Sequence, residues 1–391
     1  MITTGVLGQR WRASITPWGA IEPWGGGPRS GQPVLDWHIA ADDRWHSPQH
    51  EPAVRQRRVD GTAVVETRVR VPDGDVVQVA YSVPEHGGLT IVEVRNESPR
   101  AVAVAFTHGD LLTPRPPSAP IEGIDLPAGS VAFPVGHRAS LLVALSHPAR
   151  RGQLPEHLPT SAGVARGWNT VVDRAGRFVL PDPDIGEHLA GLRCELALCG
   201  PVAPDDDPIG FLVGAGQLVR MGERPDAWVP DVAASTEHVL RDSVRRGAAD
   251  WSVLAALRAA GVVFAAADER RALRDLDASV AALGDGSPLP ASAPTDAARC
   301  LAWHEQHMVA GGVMLPLGIP AEWLGSSFEA YSIPTGPSST LSYAVRWHGA
   351  RPAVLWEQQG EPVTLTAPVV APGWSSSAPT GEALWPEPPA A

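Results

Sequence analysis

The stretch Leu341-Ser342-Tyr343-Ala344-Val345-Arg346-Trp347-His348-Gly349-Ala350-Arg351-Pro352-Ala353-Val354-Leu355-Trp356-Glu357 decides how the rest of the chain is read. Leu341, Tyr343, Val345 and Trp347 alternate with smaller or polar partners, which is the period of a strand with one buried face. His348 to Pro352 reads as a turn and residues 353–357 as a second β run, so the piece is a hairpin. Trp347 and Trp356 flank that turn. A tryptophan face can stack on a sugar ring, but large aromatics in a hairpin more commonly pack a core, and the core reading is preferred.

The same alternation runs through the first half of the chain. Residues 62–71 place Val65, Thr67, Val69 and Val71 on one face and Glu66, Arg68 and Arg70 on the other, Pro72-Asp73-Gly74-Asp75 turns, and Val77, Val79, Tyr81 and Val83 resume the pattern. Two further strands, 89–95 and 101–107, flank the turn Asn96-Glu97-Ser98-Pro99, which predicts a four-stranded antiparallel meander with one wet face. Upstream, Pro17-Trp18-Gly19, Pro23-Trp24-Gly25 and Gly26-Gly27-Pro28 exclude helix, and 34–39 reads as a short strand. Segments 130–135, 139–146, 177–180, 191–198 and 209–220 also read as strands between turns rich in proline and aspartate. So many strands exceed one open sheet, and two packed antiparallel sheets, a β-sandwich over 1–232, are expected.

The pattern changes at Ala233. Helices are expected over 236–246, over 251–266 behind an Asp250 cap, over 269–283 behind Asp268, and over 296–309 behind Thr295. The third carries a stripe of Leu273, Leu276, Val280 and Leu283 that ends before Gly284, with a loop at 285–294 after it. The fold class is therefore mainly β with a helical block: a large antiparallel sandwich, a short α-helical domain at 233–311, and a C-terminal β segment at 312–391. That last part holds a strand near 363–367 and an irregular tail from Pro372, anchored by Trp374 and Trp385.

Composition narrows the function classes. A length of 391 residues with 44% hydrophobic and 19% charged suits two or three folded domains. The net charge of -12 argues against nucleic acid or an anionic membrane as partner, because phosphate binding needs a basic surface. The densest basic cluster, Arg55, Arg57 and Arg58, is soon followed by Asp60 and Glu66 and reads as a solvated face. Residues 1–18 lack a basic region leading into an apolar one, and no window approaches about 18 apolar residues, so a cytoplasmic protein is expected. Cys194 and Cys199 lie five apart in a strand-like run, on opposite faces, and Cys300 stands alone, with no CxxC spacing for a thiolate zinc site.

The order of parts resembles bacterial glycoside hydrolases and phosphorylases that carry an N-terminal β-supersandwich and a helical toroid. Residues 92–104, Val-Glu-Val-Arg-Asn-Glu-Ser-Pro-Arg-Ala-Val-Ala-Val, look like their strand-turn-strand, and 343–357 with Pro372-Gly373-Trp374-Ser375 look like their C-terminal β segment. The resemblance implies a supersandwich-like first domain and a carbohydrate-related function, with paired carboxylates if the protein is an enzyme. About twelve helices of 11 to 12 residues would need well over 150 residues, and about 75 are present in the predicted block, so no catalytic residue of that family carries over to a position here.

Site candidates come from the residues themselves. Asp36, His38, Asp42, Asp43, His46 and His50, with Trp37 and Trp45 interleaved, place carboxylates and imidazoles beside tryptophans, as a sugar site would, although a polar loop has the same composition. Asp110 ends a strand in His108-Gly109-Asp110 and is a candidate general acid or base. It needs a second carboxylate about 5 to 10 Å away. Asp36, Glu305, Glu329 and Glu357 are the candidates for that partner, with Glu305 taken as the pair and each also readable as a surface residue. Asp36, Trp37, His38 and Trp45 would contact the substrate, with His304 approaching from the helical side at a domain junction. Cys300, His304 and His307 share one helix face, but three ligands on one straight helix do not close a tetrahedral shell, so no metal and no cofactor is expected. Gly-x-Ser-x-Gly, Walker and His-Glu-x-x-His motifs are absent, and Gly214-Ala215-Gly216 is too short for a dinucleotide fingerprint. The alternative to a carbohydrate ligand is a non-catalytic scaffold that self-associates as a homo-oligomer through Leu254, Leu257, Leu273 and Leu276.

Overall fold

The computed structural model describes residues 1–26, 34–150, 152–247, 249–284 and 286–388. Gly27-Pro28 of the opening segment, Asp285 of the loop 285–294 and the last three residues of the tail lie outside the described residues. The chain divides into two compact units, Met1–Asn169 and Thr170–Ala391. No described helix is long and apolar enough to cross a membrane.

The first unit is built on three sheets. Ile2–Gly5, Arg12–Ile15 and Ile21–Trp24 make an antiparallel meander. A four-stranded sheet runs Val131–Val135, Val102–Phe106, Trp37–Ala40, Trp45–His46, with every pair antiparallel. The seven-stranded sheet runs Gly152–Gln153, Leu112–Thr113, Ser140–Ser146, Leu89–Asn96, Gly74–Val83, Val65–Val71, Arg55–Arg58, and only its first pair is parallel. Val65, Val69 and Val71 of the larger sheet share one core with Trp37, Val104 and Phe133 of the smaller one, as the alternation predicts.

Two expectations for this unit need correction. Val102–Phe106 does not extend the meander, because the chain after Asn96 crosses to the four-stranded sheet and pairs there with Val131–Val135 and Trp37–Ala40. Nor is the outer face of the meander simply wet: Val77, Val79, Tyr81 and Ile91 form a second core with Ala165 of α1 (Ser161–Val172). At that face Glu66 is only 4% exposed, and it accepts hydrogen bonds from Arg57 and Arg68, each at 3.0 Å, and from Arg95 at 3.3 Å. A carboxylate can be buried there because three guanidiniums compensate its lost hydration.

The second unit contains the helices α2 (Pro183–Cys199), α3 (Pro208–Met221), α4 (Val229–Arg246), α5 (Trp251–Ala266), α6 (Arg270–Leu283) and α7 (Ala297–Met308). The expected strands 191–198 and 209–220 therefore fall within α2 and α3, and the predicted sandwich 1–232 shrinks: the β strands of the first unit end at Gln153. Asp182 and Asp207 cap these helices, accepting from the backbone N–H of Asp184 and Gly210, and a proline follows each at the first helical position. On α3 the run from Gly210 to Leu218 is buried on all sides, so no amphipathic period marks it. Cys194 and Cys199 thus lie on a helix, the first buried and the second exposed, and all three cysteines are free thiols.

Of the helices expected downstream, α5 starts at its Asp250 cap, whose Oδ1 accepts from the N–H groups of Ser252 and Val253. Two caps differ from expectation. Asp268 sits at φ 56° and bonds Arg270, leaving Glu269 at the α6 N-cap, and Asp296 rather than Thr295 caps α7 by accepting from Arg299 N–H. Leu254, Leu257 and Leu276 are 0–4% exposed in a core shared by α3, α4, α5 and α6, and Leu273 packs half-buried against it, so most of the leucine stripe is covered within the unit.

The C-terminal hairpin has the expected form, with Ser339–His348 paired to Arg351–Gln359 around a Gly349-Ala350 turn. It belongs to a five-stranded antiparallel sheet ordered Arg177–Val179, Phe328–Gly336, Ser339–His348, Arg351–Gln359, Thr380–Leu384. Hence the strand at 177–179 serves this sheet and not the first unit, and the tail supplies a regular edge strand where an irregular strap is expected. The expected strand near 363–367 is the short Leu365–Thr366, in a small four-stranded sheet with Val309–Ala310, Val313–Met314 and Ser375–Ser376. Trp356, Trp374 and Trp385 meet edge to face with ring centroids 5.4 and 5.3 Å apart, and they hold the tail on the core as anchors.

Candidate functional site

In the second unit, a buried carboxylate holds three helices together. The Asp296 cap starts α7 and brings Glu305 inward, where it is 7% exposed. Its Oε1 accepts from Arg193 Nη2 on α2 at 3.0 Å, from Gln217 Nε2 on α3 at 2.8 Å and from Arg220 Nη1 at 2.9 Å. Its Oε2 accepts from Arg220 Nη1 at 3.0 Å. Gln217 and Arg220 are three apart on one helix, so they present a single face to the carboxylate.

The arginines are themselves placed by backbone. Arg193 donates to the carbonyls of Gly176 and Ala175, and its Nε donates to Gln217 Oε1 at 3.1 Å. Arg220 Nη2 donates to Ala175 O and to Ser332 O, the latter at 3.1 Å. Gly176 has φ 126°, a conformation that favours glycine, and an added Cβ would sit tightly, 3.3 and 3.4 Å from the guanidinium nitrogens of Arg220 and Arg193. Burial pulls the Arg193 guanidinium below its ordinary pKa, and the adjacent Glu305 opposes that shift.

A cavity of about 240 Å³ opens beside this network, with Glu305, Gln217 and Arg220 on its wall. Its remaining walls come from α3, α5, α6, α7 and the end of the strand Phe328–Gly336, chiefly through Val213, Leu257, Val262, Leu276 and Pro337. Small residues create the room. At Gly216 an added Cβ would lie 2.8 Å from Ala259 Cβ, so α3 and α5 approach closely there, and Ala255, Gly261 and Ala302 also line the space. No aromatic ring is among its lining residues; Arg258, Asp277 and Gln306 are the other charged or amide groups.

The residues proposed from sequence divide between the units. Glu305 and His304 are in the second. His304 lies against the edge of Trp303, with centroids 4.8 Å apart, and its pKa is lowered to about 4 by burial first, then by His307, His188 and Arg193. His307 stacks on Trp323 at 6.2 Å and is also lowered by burial, while burial raises the Cys300 thiol. Among the described residues no three His, Cys, Asp or Glu side chains converge to hold a metal.

Asp36, Trp37, His38, Trp45 and Asp110 are in the first unit. The Asp36 N–H donates to Thr107 Oγ1 at 2.9 Å, and Asp36 Oδ1 accepts from Trp37 N–H at 2.8 Å. Trp37 is 0% exposed and donates Nε1–H to Trp18 O, so it offers no ring face to a ligand. His38 Nδ1 lies 3.0 Å from Ser47 Oγ, and burial lowers its pKa against the opposing Asp36. Trp45 is half-buried and donates to Glu122 O at 2.7 Å. Asp110 is half-buried and follows the strand Val102–Phe106.

Arg193, Gln217 and Arg220 escaped the sequence reading because their segments read as strands. The Asp-Pro pairs at 182–183 and 207–208 are the signal that identifies helices there. No protein-family model matches the chain, and no curated protein matches it.

Proposed function

We propose that this chain binds a small organic ligand in the cavity of its second unit. One observation carries the reading: an apolar space of about 240 Å³ with a buried, hydrogen-bonded carboxylate on its wall. Concave, mostly apolar sites with a few fixed polar groups are the usual form of small-molecule sites. The three side chains that donate to Glu305 fix its carboxyl group in place as an acceptor, a role suited to orienting a ligand. Thermal-shift measurements with a fragment library test the proposal on the wild type and on Gly261→Leu, which fills the cavity. Fragments that stabilise the wild type and not the variant support it; equal shifts, or none, refute it.

A second reading keeps the carbohydrate-related, glycoside hydrolase-like function with a supersandwich-like first unit. The observation in its favour is that two carboxylates, Glu305 and Asp277, line one cavity, and glycoside cleavage uses a pair of carboxylates. The absence of an aromatic platform there weighs against it. Release of reducing sugar from an oligosaccharide panel, lost in Asp277→Asn, would support this reading, and no release from any member would remove it. We further propose a cytoplasmic location, a reading that the three cysteines outside any disulfide support.

A further inference from the structure

Resting on the binding reading above, we propose that the cavity takes a neutral, largely aliphatic or alicyclic ligand that ends in a single hydroxyl. Size comes first. A 150 Å³ apolar cavity holds benzene, so about 240 Å³ accommodates a molecule of roughly ten non-hydrogen atoms.

The polar end follows from counting hydrogen bonds. Glu305 Oε1 accepts three donors, whereas Oε2, among the described residues, accepts only from Arg220 Nη1. The spare capacity is therefore for a donor. Arg220 Nη1 donates to both oxygens of Glu305 in a bifurcated bond, and Nη2 donates to the carbonyls of Ala175 and Ser332. A ligand carboxylate would set acceptor against acceptor at Oε2. A ligand ammonium would donate, but it would stand beside Arg193 and Arg220, whose charges already converge on the same carboxylate. A hydroxyl donates one bond and carries no charge.

Charge balance agrees. Arg193 and Arg220 are matched by Glu305 and by Asp173, whose field also acts on Arg193. At the rest of the lining Arg258 and Asp277 have opposite signs. The body of the ligand is chiefly apolar, because a hydroxyl facing Val213, Val262, Leu276 or Pro337 finds no hydrogen-bond partner in those side chains and no ring to stack on. That requirement separates this class from sugars.

A matched set of probes on one carbon skeleton tests the proposal: cyclohexylmethanol, methylcyclohexane, (aminomethyl)cyclohexane and cyclohexanecarboxylate, with glucose as the polyol. Isothermal titration with the full chain is expected to give one site for cyclohexylmethanol, at least tenfold tighter than any other member. Gly261→Leu should weaken it tenfold or more. Should that variant not fold, Gly261→Ala serves, since its Cβ meets only ordinary contacts at 3.5 Å and beyond and should weaken binding about threefold. Equal or tighter binding of the hydrocarbon, amine, carboxylate or glucose, weakened by the same variants, overturns the ligand class and leaves the cavity as the site. Binding of no probe, or binding that the Gly261 variants leave unchanged, overturns both.

Discussion

Two glutamates show how burial sets the cost of removing a charge. Glu305 is enclosed with Arg193 and Arg220, and taking it away would strand two guanidiniums with their hydration already lost. Glu305→Ala is expected to cost about 3 to 5 kcal/mol in urea unfolding. Glu329 also pairs, with Arg346 and Tyr331, but Arg346 is 43% exposed. Water screens that pair, and Glu329→Ala should cost no more than about 1 kcal/mol. His304 contributes a pH dependence. Its folded pKa of about 4 lies below the ordinary 6.5, so the unfolded chain binds the proton more readily. The stabilisation is complete above pH 6.5 and is lost as pH falls towards 4. A loss of about 3 kcal/mol between neutral pH and pH 4 is expected. Unfolding at a series of pH values, compared with His304→Asn, checks it: an equally steep slope in the variant would assign the effect to His307 or another group.

Two helices, α6 and α3, show how a wet face makes a helix legible and how its loss hides one. The 3.6-residue stripe of Leu273, Leu276 and Val280 stands out on α6 because Arg274, Asp275 and Asp277 are exposed between its members. On α3, packing on all sides removes the contrast that periodicity needs, and its apolar run resembles a buried strand. Its Asp207 cap remains visible in sequence, and it does more than cap. The carboxylate accepts from Gly210 N–H at 3.1 Å and from Arg299 of α7 at 2.6 and 2.9 Å. Asp182 caps α2 with one backbone bond at 3.0 Å. Asp182→Ala should therefore cost about 1 kcal/mol. Asp207→Ala, which also breaks a partly buried bidentate pair, should cost about 2. Thermal unfolding of the two variants compares them, and equal losses would mean the Arg299 pair is energetically silent.

At the scale of the whole molecule, most of the leucine stripe that motivated self-association is used up inside the second unit. The large apolar side chains that remain exposed include Val179, Leu355 and Leu384 on one sheet and Val244 on a helix, and scattered exposure of this kind is ordinary for a monomer. Sedimentation at micromolar concentration is expected to give a single species near 41.2 kDa; a stable dimer would restore the scaffold reading. From sequence alone came the hairpin around Gly349, the alternation at 62–83, the Asp250 cap and the helices from α4 onward, because each depends on residues within one or two turns of chain. Tertiary structure decided the rest. Val102–Phe106 left the meander for another sheet, Arg177–Val179 joined a strand some 150 residues later, and Arg193 reached Glu305 across 112 positions. Periodicity records which side of an element is apolar, but the partner that satisfies a strand edge or a buried charge is fixed only when distant segments meet.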